Sequence, residues 1–174
     1  MYLRKTRLED AEQVARVQVE SWRSTYNGIV PEKFLNKMNY DFYTNRFQTY
    51  FSENSPISYV AINDSNQIVG FITGGRNRLV KAHPEYDCEL HAIYILEAYQ
   101  GNQLGKKLVS HLMDDLLRLN HKKMLVQVLA ANKAIKFYEK LGGKYLNSKQ
   151  LLISGKNLEE SILAWDDISK AQVD

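Results

Sequence analysis

The stretch YQGNQLGKKLV, residues 99–109, decides the fold, because it places two glycines between an apolar strand and a helix. From Leu104 onwards apolar residues recur at steps of three and four, which is typical of a helix packed on a sheet. Gly101 and Gly105 let the backbone bend and approach a ligand closely. Unpaired N–H groups at a helix start attract anions. The stretch therefore predicts either an anion site or a plain helix-entry turn.

Two known phosphate-binding patterns do not fit this loop. It lacks the GKS or GKT of nucleoside triphosphatase loops, and it lacks the G-x-G-x-x-G spacing of dinucleotide-binding folds. Lys106 and Lys107 nevertheless place positive charge beside the two glycines. An anionic ligand, if one binds here, is therefore of another kind.

Apolar periodicity around the loop predicts strands and helices over the whole chain. The predicted strands are residues 1–6, 57–62, 67–73, 87–96, 124–130, 150–153 and 160–165. The predicted helices follow a Thr6–Glu9 capping box, cover residues 40–51, begin at Leu104 and cover residues 132–141. This order predicts an α/β fold, a mixed sheet flanked by helices, in a single domain over residues 1–174.

Alternation within the strand at residues 87–96 predicts which side chains share a face. Glu89, His91, Ile93 and Ile95 should lie on one face of the sheet, opposite Leu90, Ala92 and Tyr94.

Composition narrows the class of protein. The chain has 174 residues, 44% hydrophobic and 25% charged, as in an ordinary globular protein. The net charge of +3 comes from scattered lysines and arginines, so we expect no nucleic-acid partner. Cys88 is the single cysteine, which excludes an intrachain disulfide and a cysteine-rich metal site. We therefore expect no metal. We also expect no membrane segment, because no stretch approaches about 20 apolar residues. Residues 1–5 turn polar at once, unlike a signal peptide, so we expect a cytoplasmic location.

A second motif, LAANKAIKFYEKLGGKY, covers residues 129–145. Asn132 stands where a strand gives way to a helix, so its carboxamide can cap that helix or bind an amide-bearing ligand. Phe137 and Tyr138 follow, and Gly142 ends the helix. A capped helix with an aromatic in the core explains this motif alone, but it does not explain why the motif follows the glycine loop.

Together the two motifs resemble those of the GNAT superfamily of acetyl-CoA-dependent N-acetyltransferases. The family's loop pattern is Gln/Arg-x-x-Gly-x-Gly/Ala, which Gln100 and Gly105 match and from which Gln103 departs. The family's later pattern is N-x-x-A-x-x-F-Y-x-x-x-G-F. The residues that match it are Ala134, Phe137, Tyr138 and Gly142; the departures are Ala131, which displaces the asparagine to Asn132, and Gly143, which replaces the last aromatic.

Two further segments extend the resemblance over essentially the whole chain. ELHAIYILEAYQG, residues 89–101, is similar to the family's central strand and the loop after it. SWRSTYNGIVPEKFL, residues 21–35, is similar to the helix pair on the acceptor side of many small bacterial members.

The resemblance implies a GNAT-like acyl-CoA N-acyltransferase fold with a mostly antiparallel central sheet, and acetyl-CoA as the co-substrate. The pantetheine arm would pair with exposed backbone at Ile93, Tyr94 and Ile95 of a splayed central strand. The pyrophosphate would lie on the amides of Gln100, Gly101, Asn102, Gln103, Leu104, Gly105 and Lys106. Asn132 and Phe137 complete the implied cofactor contacts. Lys106 or Lys140 would approach the phosphates, or both are solvated.

Transfer to an amine needs an oxyanion donor, an acid for the leaving thiolate and a neutral amine. The family pattern implies a strand N–H near Ile93 as the oxyanion donor. Tyr138 is the predicted acid, and a buried core tyrosine is the alternative. Glu89 is the predicted base, if burial raises its pKa, and a surface salt bridge is the alternative. His91 is the rival base, and a hydrogen-bonded core histidine is its alternative.

The acceptor side is less specific. Trp22, Tyr26 and the aromatics of residues 40–50 can wall an acceptor pocket or form core. The basic stretch of Arg76, Arg78 and Lys81 can clamp an acidic acceptor or form a solvated loop.

The sequence thus predicts an N-acetyltransferase acting on a primary amine of a small molecule or peptide, by direct transfer in a ternary complex. A non-catalytic acyl-CoA sensor is the alternative. A homodimer through the C-terminal hairpin, near Trp165, is a further expectation, and an intramolecular contact there is equally compatible. The identity of the amine stays open.

Overall fold

The chain forms one seven-stranded sheet with the strand order β1-β2-β3-β4-β5-β7-β6 in a computed structural model that describes residues 1–53 and 56–173. The strands are β1 Tyr2–Lys5, β2 Ile57–Ile62, β3 Ile68–Arg76, β4 Cys88–Ile95, β5 Met124–Leu129, β6 Lys144–Ile153 and β7 Lys156–Trp165. The helices are α1 Ala11–Thr25, α2 Glu32–Lys37, α3 Tyr40–Glu53, α4 Leu104–Arg118 and α5 Ala134–Lys140. β4 and β5 pair parallel, and the other neighbouring strands pair antiparallel. The predicted mixed, mostly antiparallel sheet flanked by helices is confirmed.

Helices cover both faces of this sheet. α4 lays its leucine stripe on one face, where Leu108, Leu112 and Leu116 are fully buried. α1 and α3 cover the other face, where the ring of Phe47 packs edge-on against Phe71 at 5.4 Å between centroids. The amphipathic periodicity of these helices therefore corresponds to two apolar layers on either side of the strands.

The start of α1 differs from the predicted capping box. The backbone N–H of Arg7 donates to the Asp10 carboxylate at 2.7 Å, so the reciprocal contact is shifted by one residue. Thr6 instead shares a hydrogen bond with Ser58 at 2.7 Å between their hydroxyl oxygens. β2 thus competes with the helix for the Thr6 hydroxyl, a long-range contact that the local pattern does not contain.

A β-bulge at His91 interrupts the pairing of β3 and β4. Leu90 lies opposite Gly74 and Ala92 lies opposite Thr73, so the residue between them is extra on its strand. The alternation of side chains resets there. Leu90 packs on the α4 side together with Ile93 and Ile95, and Glu89 therefore points to the opposite side. The prediction that Glu89 shares a face with Ile93 and Ile95 is wrong for this reason.

β4 and β5 separate after a short paired stretch. Their pairing covers Cys88–Leu90 of β4 only, ending where Leu90 meets Val126. Beyond this point β5 continues to pair with β7, while residues 91–95 of β4 keep β3 as their partner. One backbone edge of residues 91–95 is therefore left without a strand, as the family resemblance implied.

The C-terminal hairpin is longer than predicted, because β6 is a polar edge strand with a weak apolar signal. Ser154 and Gly155 both have positive φ, 48° and 85°, which closes a two-residue hairpin turn. Trp165 at the end of β7 is buried within this chain, and its indole N–H donates to the Leu141 carbonyl at 3.0 Å. A β-carbon on Gly143 would lie 2.8 Å from the Trp165 ring, so the indole fills the space that a side chain at this position would need.

No helix within residues 1–53 and 56–173 is long and apolar enough to cross a membrane.

Candidate active site

A cavity of about 870 Å³ lies where β4 and β5 separate. It is walled by the unpaired edge of β4, the loop before α4 and the inner face of α5. The predicted cofactor residues that line this cleft are Ile93, Tyr94, Ile95, Gln100, Gly101, Gln103, Leu104, Gly105, Lys106, Asn132 and Phe137. Asn102 lies in the same loop but does not line the cleft, whereas Lys140 does. The topology thus brings together side chains that are up to 47 positions apart.

The loop before α4 turns through two left-handed residues, Gly101 with φ 81° and Gln103 with φ 58°. The first backbone bond of the helix runs from Lys107 N–H to the Gln103 carbonyl at 3.0 Å. The N–H groups of Leu104 and Gly105 therefore have no partner within the helix. Since helix starts attract anions, this geometry suits a phosphate group. Gln103 adopts this left-handed conformation, which non-glycine residues disfavour, because the tight turn into α4 requires it there.

Gly105 is required by close packing. A β-carbon at this position would lie 3.2 Å from the Phe137 ring and 3.5 Å from Ile95 Cδ1. The missing side chain lets the start of α4 approach both α5 and β4.

Replacing Gln103 by glycine should raise the free energy of unfolding by up to about 1 kcal/mol, because a left-handed non-glycine residue costs about 1–2 kcal/mol and glycine entropy returns part of this. Acetyl-CoA affinity should stay within about tenfold, or 1.4 kcal/mol. Denaturant unfolding and calorimetric titration measure the two effects. Gln103→Val is the matched variant and should lower stability, because β-branched residues avoid positive φ. A much larger loss of affinity in Gln103→Gly would mean that the Gln103 side chain itself binds the ligand.

Asn132 uses its carboxamide within the protein. Its Oδ1 accepts from the Ala134 N–H at 2.9 Å, which caps α5, and its Nδ2 donates to the Tyr26 hydroxyl at 3.0 Å. The capping role considered from the sequence is confirmed. Asn132 also lines the cleft, so a contact with the pantetheine stays a prediction.

Tyr138 lies at the floor of the cleft, 5% exposed, with its ring edge-on to Trp165 at 6.2 Å between centroids. Burial, and secondarily the neighbouring Tyr26, raises the pKa of its phenol well above the usual value. Among the described residues the Tyr138 hydroxyl makes no hydrogen bond. A neutral donor without a partner is thus aimed at the cavity, which is the state an acid for a thiolate requires.

Glu89 is fully buried beneath Arg78 and does not line the cleft. Its carboxylate accepts from the Arg78 N–H at 2.8 Å, from Arg78 Nη2 at 2.6 Å and from Gln127 Nε2 at 2.7 Å. Burial alone would raise the pKa of Glu89, but the hydrogen bonds and charge of Arg78, with Gln127, outweigh it and lower the pKa. The prediction of a raised pKa is wrong, because the sequence does not place these two partners beside the carboxylate.

His91 is held at both ring nitrogens. Its Nε2 lies 2.9 Å from the Arg76 carbonyl, which can only accept, so Nε2 carries the proton. Nδ1 then accepts from the Tyr50 hydroxyl at 2.8 Å. Burial lowers the pKa of His91, so the imidazole is neutral. His91 is thus hydrogen-bonded, as in the alternative considered from the sequence, but it is half-buried and lines the cleft instead of lying in the core.

A second cavity, of about 260 Å³, lies on the α1 side of the same separation. Trp22 and Tyr26, which were considered for an acceptor pocket or for core, line it, and so does Arg78. Tyr43 and Phe47 are core residues instead. The polar lining residues missed from the sequence are Gln127 and Glu160. The sequence does contain an indication of Gln127, since it is the one polar residue in the apolar run of β5.

One cluster among the described residues has metal-ligand side chains, namely Asp87, Cys88 and His121, whose ligand atoms lie within 4.8 Å of one another. Burial raises the pKa of the Cys88 thiol strongly, and its sulfur lies 3.5 Å from the Lys123 carbonyl. A thiol kept protonated is a poor metal ligand. The cluster therefore does not argue for a metal centre.

Comparison with known proteins agrees with this geometry. Residues 18–143 match the model of the acetyltransferase (GNAT) family. The chain belongs to the GNAT family. An uncharacterized N-acetyltransferase of Bacillus subtilis called YuaI is 32% identical over 96% of this chain and 94% of its own length.

Solved GNAT structures share the fold of this chain. The PaiA N-acetyltransferase from Thermoplasma acidophilum, in complex with coenzyme A, is 23% identical and covers 92% of this chain and 96% of its own, with a TM-score of 0.70. YncA from Salmonella typhimurium, with its cofactor acetyl-CoA, is 16% identical. The match covers 97% of this chain and 94% of its own, with a TM-score of 0.71. At these identities the likeness concerns the fold, and membership of the GNAT family makes this chain an acyltransferase.

Proposed function

We propose that this GNAT protein transfers the acetyl group of acetyl-CoA to a primary amine of a small molecule or peptide. The observation that carries the proposal is the cleft between β4 and β5, which joins an unpaired strand edge to a helix start. A pantetheine arm carries two amides and suits such a strand edge. A pyrophosphate suits the amides of residues 100–106.

Bound acetyl-CoA supplies an activated thioester carbonyl. The chain's own residues supply the oxyanion donor and the proton for the leaving sulfur. The free backbone N–H groups around Ile93 offer a donor to the oxyanion that forms as the amine attacks. Tyr138 donates its proton to the departing sulfur as the carbon–sulfur bond breaks. The amine loses its proton to water, and the Tyr138 phenolate takes a proton back from water, so that the phenol is restored and the protons balance.

Direct transfer from acetyl-CoA to the amine is the order that the site supports. A covalent intermediate needs an activated nucleophile in the cleft. Cys88 is buried, its raised pKa keeps it protonated, and it lines neither described cavity. We therefore propose a ternary complex.

A non-catalytic acyl-CoA sensor is the alternative. One observation favours it: the carboxylate of Glu89 and both nitrogens of His91 already accept or donate hydrogen bonds within the protein. A sensor would bind acetyl-CoA without needing a base. In the catalytic proposal the amine loses its proton to solvent instead.

Release of free thiol from acetyl-CoA distinguishes the two functions. The purified protein is mixed with acetyl-CoA and a panel of amines, amino acids, polyamines and peptides. Acetyl transfer predicts thiol release that depends on one class of amine. Tight binding of acetyl-CoA with no release for any amine would support the sensor.

Replacing Asn102 by aspartate tests the phosphate end of the site. The two side chains have the same shape, and Asn102 is exposed, so the fold should be unchanged. A negative charge a few ångströms from the pyrophosphate should weaken acetyl-CoA binding about tenfold at low salt, and less as salt screens it. Calorimetric titration at two salt concentrations measures this.

The matched control is Asn45→Asp, the same change on the exposed surface of α3. It should leave the affinity unaltered. An unchanged affinity in Asn102→Asp as well would place the phosphates away from this loop.

A further inference from the structure

The second cavity adjoins the cofactor cleft, since the two share part of their walls. The residues that line both are Tyr26, His91, Tyr94, Gln127 and Val128. A molecule in the second cavity can therefore extend an amine through the separation of β4 and β5 towards the thioester. A volume of about 260 Å³ lies just below the roughly 300–1,000 Å³ of sites for drug-sized ligands, so the space suits a small acceptor.

Arg78 offers a prepared anion contact in this cavity. Its side chain is 53% exposed, yet the guanidinium is fixed from behind, since Nε and Nη2 donate to Glu89 Oε1 at 3.1 and 2.6 Å. Nη1 has no hydrogen-bond partner within the described part of the chain. A held guanidinium loses little freedom when it binds a further oxygen. The free edge of Arg78 thus suits a carboxylate of the ligand.

The acidic side chain of the cavity wall, Glu160, is already paired with a lysine that lies outside the wall. Lys149 Nζ lies 3.2 Å from a Glu160 oxygen and donates to Gln127 Oε1 at 2.6 Å, and Gln127 in turn donates to Glu89. The Arg78–Glu89 pair and the Lys149–Glu160 pair sum to no net charge. A polycationic acceptor would be repelled by Arg78 and would find the carboxylate of Glu160 already engaged by Lys149. An acceptor with one carboxylate finds the free edge of Arg78 without that repulsion.

We propose that the acceptor is a small amino acid whose free carboxylate binds Arg78 while its amine reaches the thioester. The proposal rests on the proposed acetyl transfer and narrows its acceptor class. Glu89 then acts as a positioning residue, because it fixes the guanidinium and does not touch the acceptor. The contact should act mainly on the acceptor KM.

Matched acceptor pairs test the proposal. Each amino acid is compared with its own carboxamide, and kcat/KM is referred to the fraction of neutral amine, because amidation changes the pKa of the amine. The wild-type protein should prefer the free acid by about 10–100-fold, the value of one or two hydrogen bonds to a charged group. Arg78→Gln should reduce this preference to about threefold or less, through the KM of the acids, with the amides little changed.

Lys81→Gln is the matched control, because Lys81 is an exposed cation of the same connection that lines neither cavity. Lys81→Gln should keep the full wild-type preference for the free acid over the carboxamide. If Arg78→Gln does not fold, Arg78→Lys keeps the charge beside Glu89 but loses the planar fork, and it should give an intermediate preference.

Equal rates for acids and amides, or a preference that survives in Arg78→Gln, would overturn this inference and leave acetyl transfer standing. Transfer to no amine of either set would overturn the proposed function, and the acceptor assignment with it.

Discussion

Replacing Tyr138 by phenylalanine is expected to lower kcat by about 10²–10³-fold, within the range of general acid catalysis, and to leave the Kd for acetyl-CoA within about threefold. The reason is geometric. The phenol lies in the floor of the cleft with no hydrogen-bond partner among the described residues. Phenylalanine keeps the ring against Trp165 and removes the donor alone. Steady-state rates and calorimetric titration measure the two quantities.

The matched control for Tyr138 is Tyr86→Phe. Tyr86 is also buried, and its hydroxyl donates to Asp166 at 3.2 Å in a different part of the protein. This change should cost stability, about 1 kcal/mol for one hydrogen bond, without altering kcat. Unchanged turnover in Tyr138→Phe would contradict its role as the acid. An equal loss of kcat in Tyr138→Phe and Tyr86→Phe would mean that the loss comes from a disturbed structure.

Replacing Glu89 by glutamine should lower the free energy of unfolding by about 2–3 kcal/mol near neutral pH, because it removes charge-assisted hydrogen bonds in a buried site. The pH dependence has a definite sign. The pKa of Glu89 is lowered in the folded protein, so its stabilisation is fully present above the unfolded pKa of about 4.3. It is lost as the pH falls through the lower, folded pKa. The difference between wild type and variant should therefore shrink in acid.

Denaturant unfolding of both proteins over a pH series measures this effect. Glu9→Gln is the control, because Glu9 is exposed and its contact with Arg7 is a surface ion pair at 3.3 Å. That change should cost less than about 0.5 kcal/mol at any pH. A Glu89→Gln penalty that is absent, or that stays constant through the acid range, would contradict the ion pair.

The same variant tests the predicted base. A carboxylate with a lowered pKa, covered by Arg78, is a weak and inaccessible base, so the acidic limb of the pH–rate profile should survive in Glu89→Gln. The acceptor KM should rise, because Arg78 loses its fixed position. Loss of the acidic limb, with KM unchanged, would restore Glu89 as the base.

Local periodicity predicted much of the fold. The strand at Ile57–Ile62 and the start of the helix at Leu104 agree with the pattern to the residue, because each lies in a continuous apolar repeat. Most of the residues that the family resemblance named line one cleft, since its two motifs follow consecutive strands on either side of the separation. The edge strand β6 was predicted too short, because an exposed strand buries too little apolar surface to leave a pattern.

The details of the site depended on contacts distant in sequence. One extra residue at His91 reverses the face of Glu89, and a period of two cannot reveal a bulge. The pKa of Glu89 moves down because Arg78 and Gln127, from two other segments, converge on it. Gln103 adopts a positive φ that its residue type disfavours, since the turn into α4 requires it. Each error concerns a position where tertiary structure overrides a local rule.

A crystal structure of the protein with acetyl-CoA tests the central claim most directly. The account predicts pantetheine amides paired with the free edge at Ile93 and Ile95, the pyrophosphate on residues 100–106, and the Tyr138 hydroxyl within hydrogen-bond distance of the sulfur. A ligand bound outside the separation of β4 and β5, or a thioester beyond the reach of Tyr138, would contradict it.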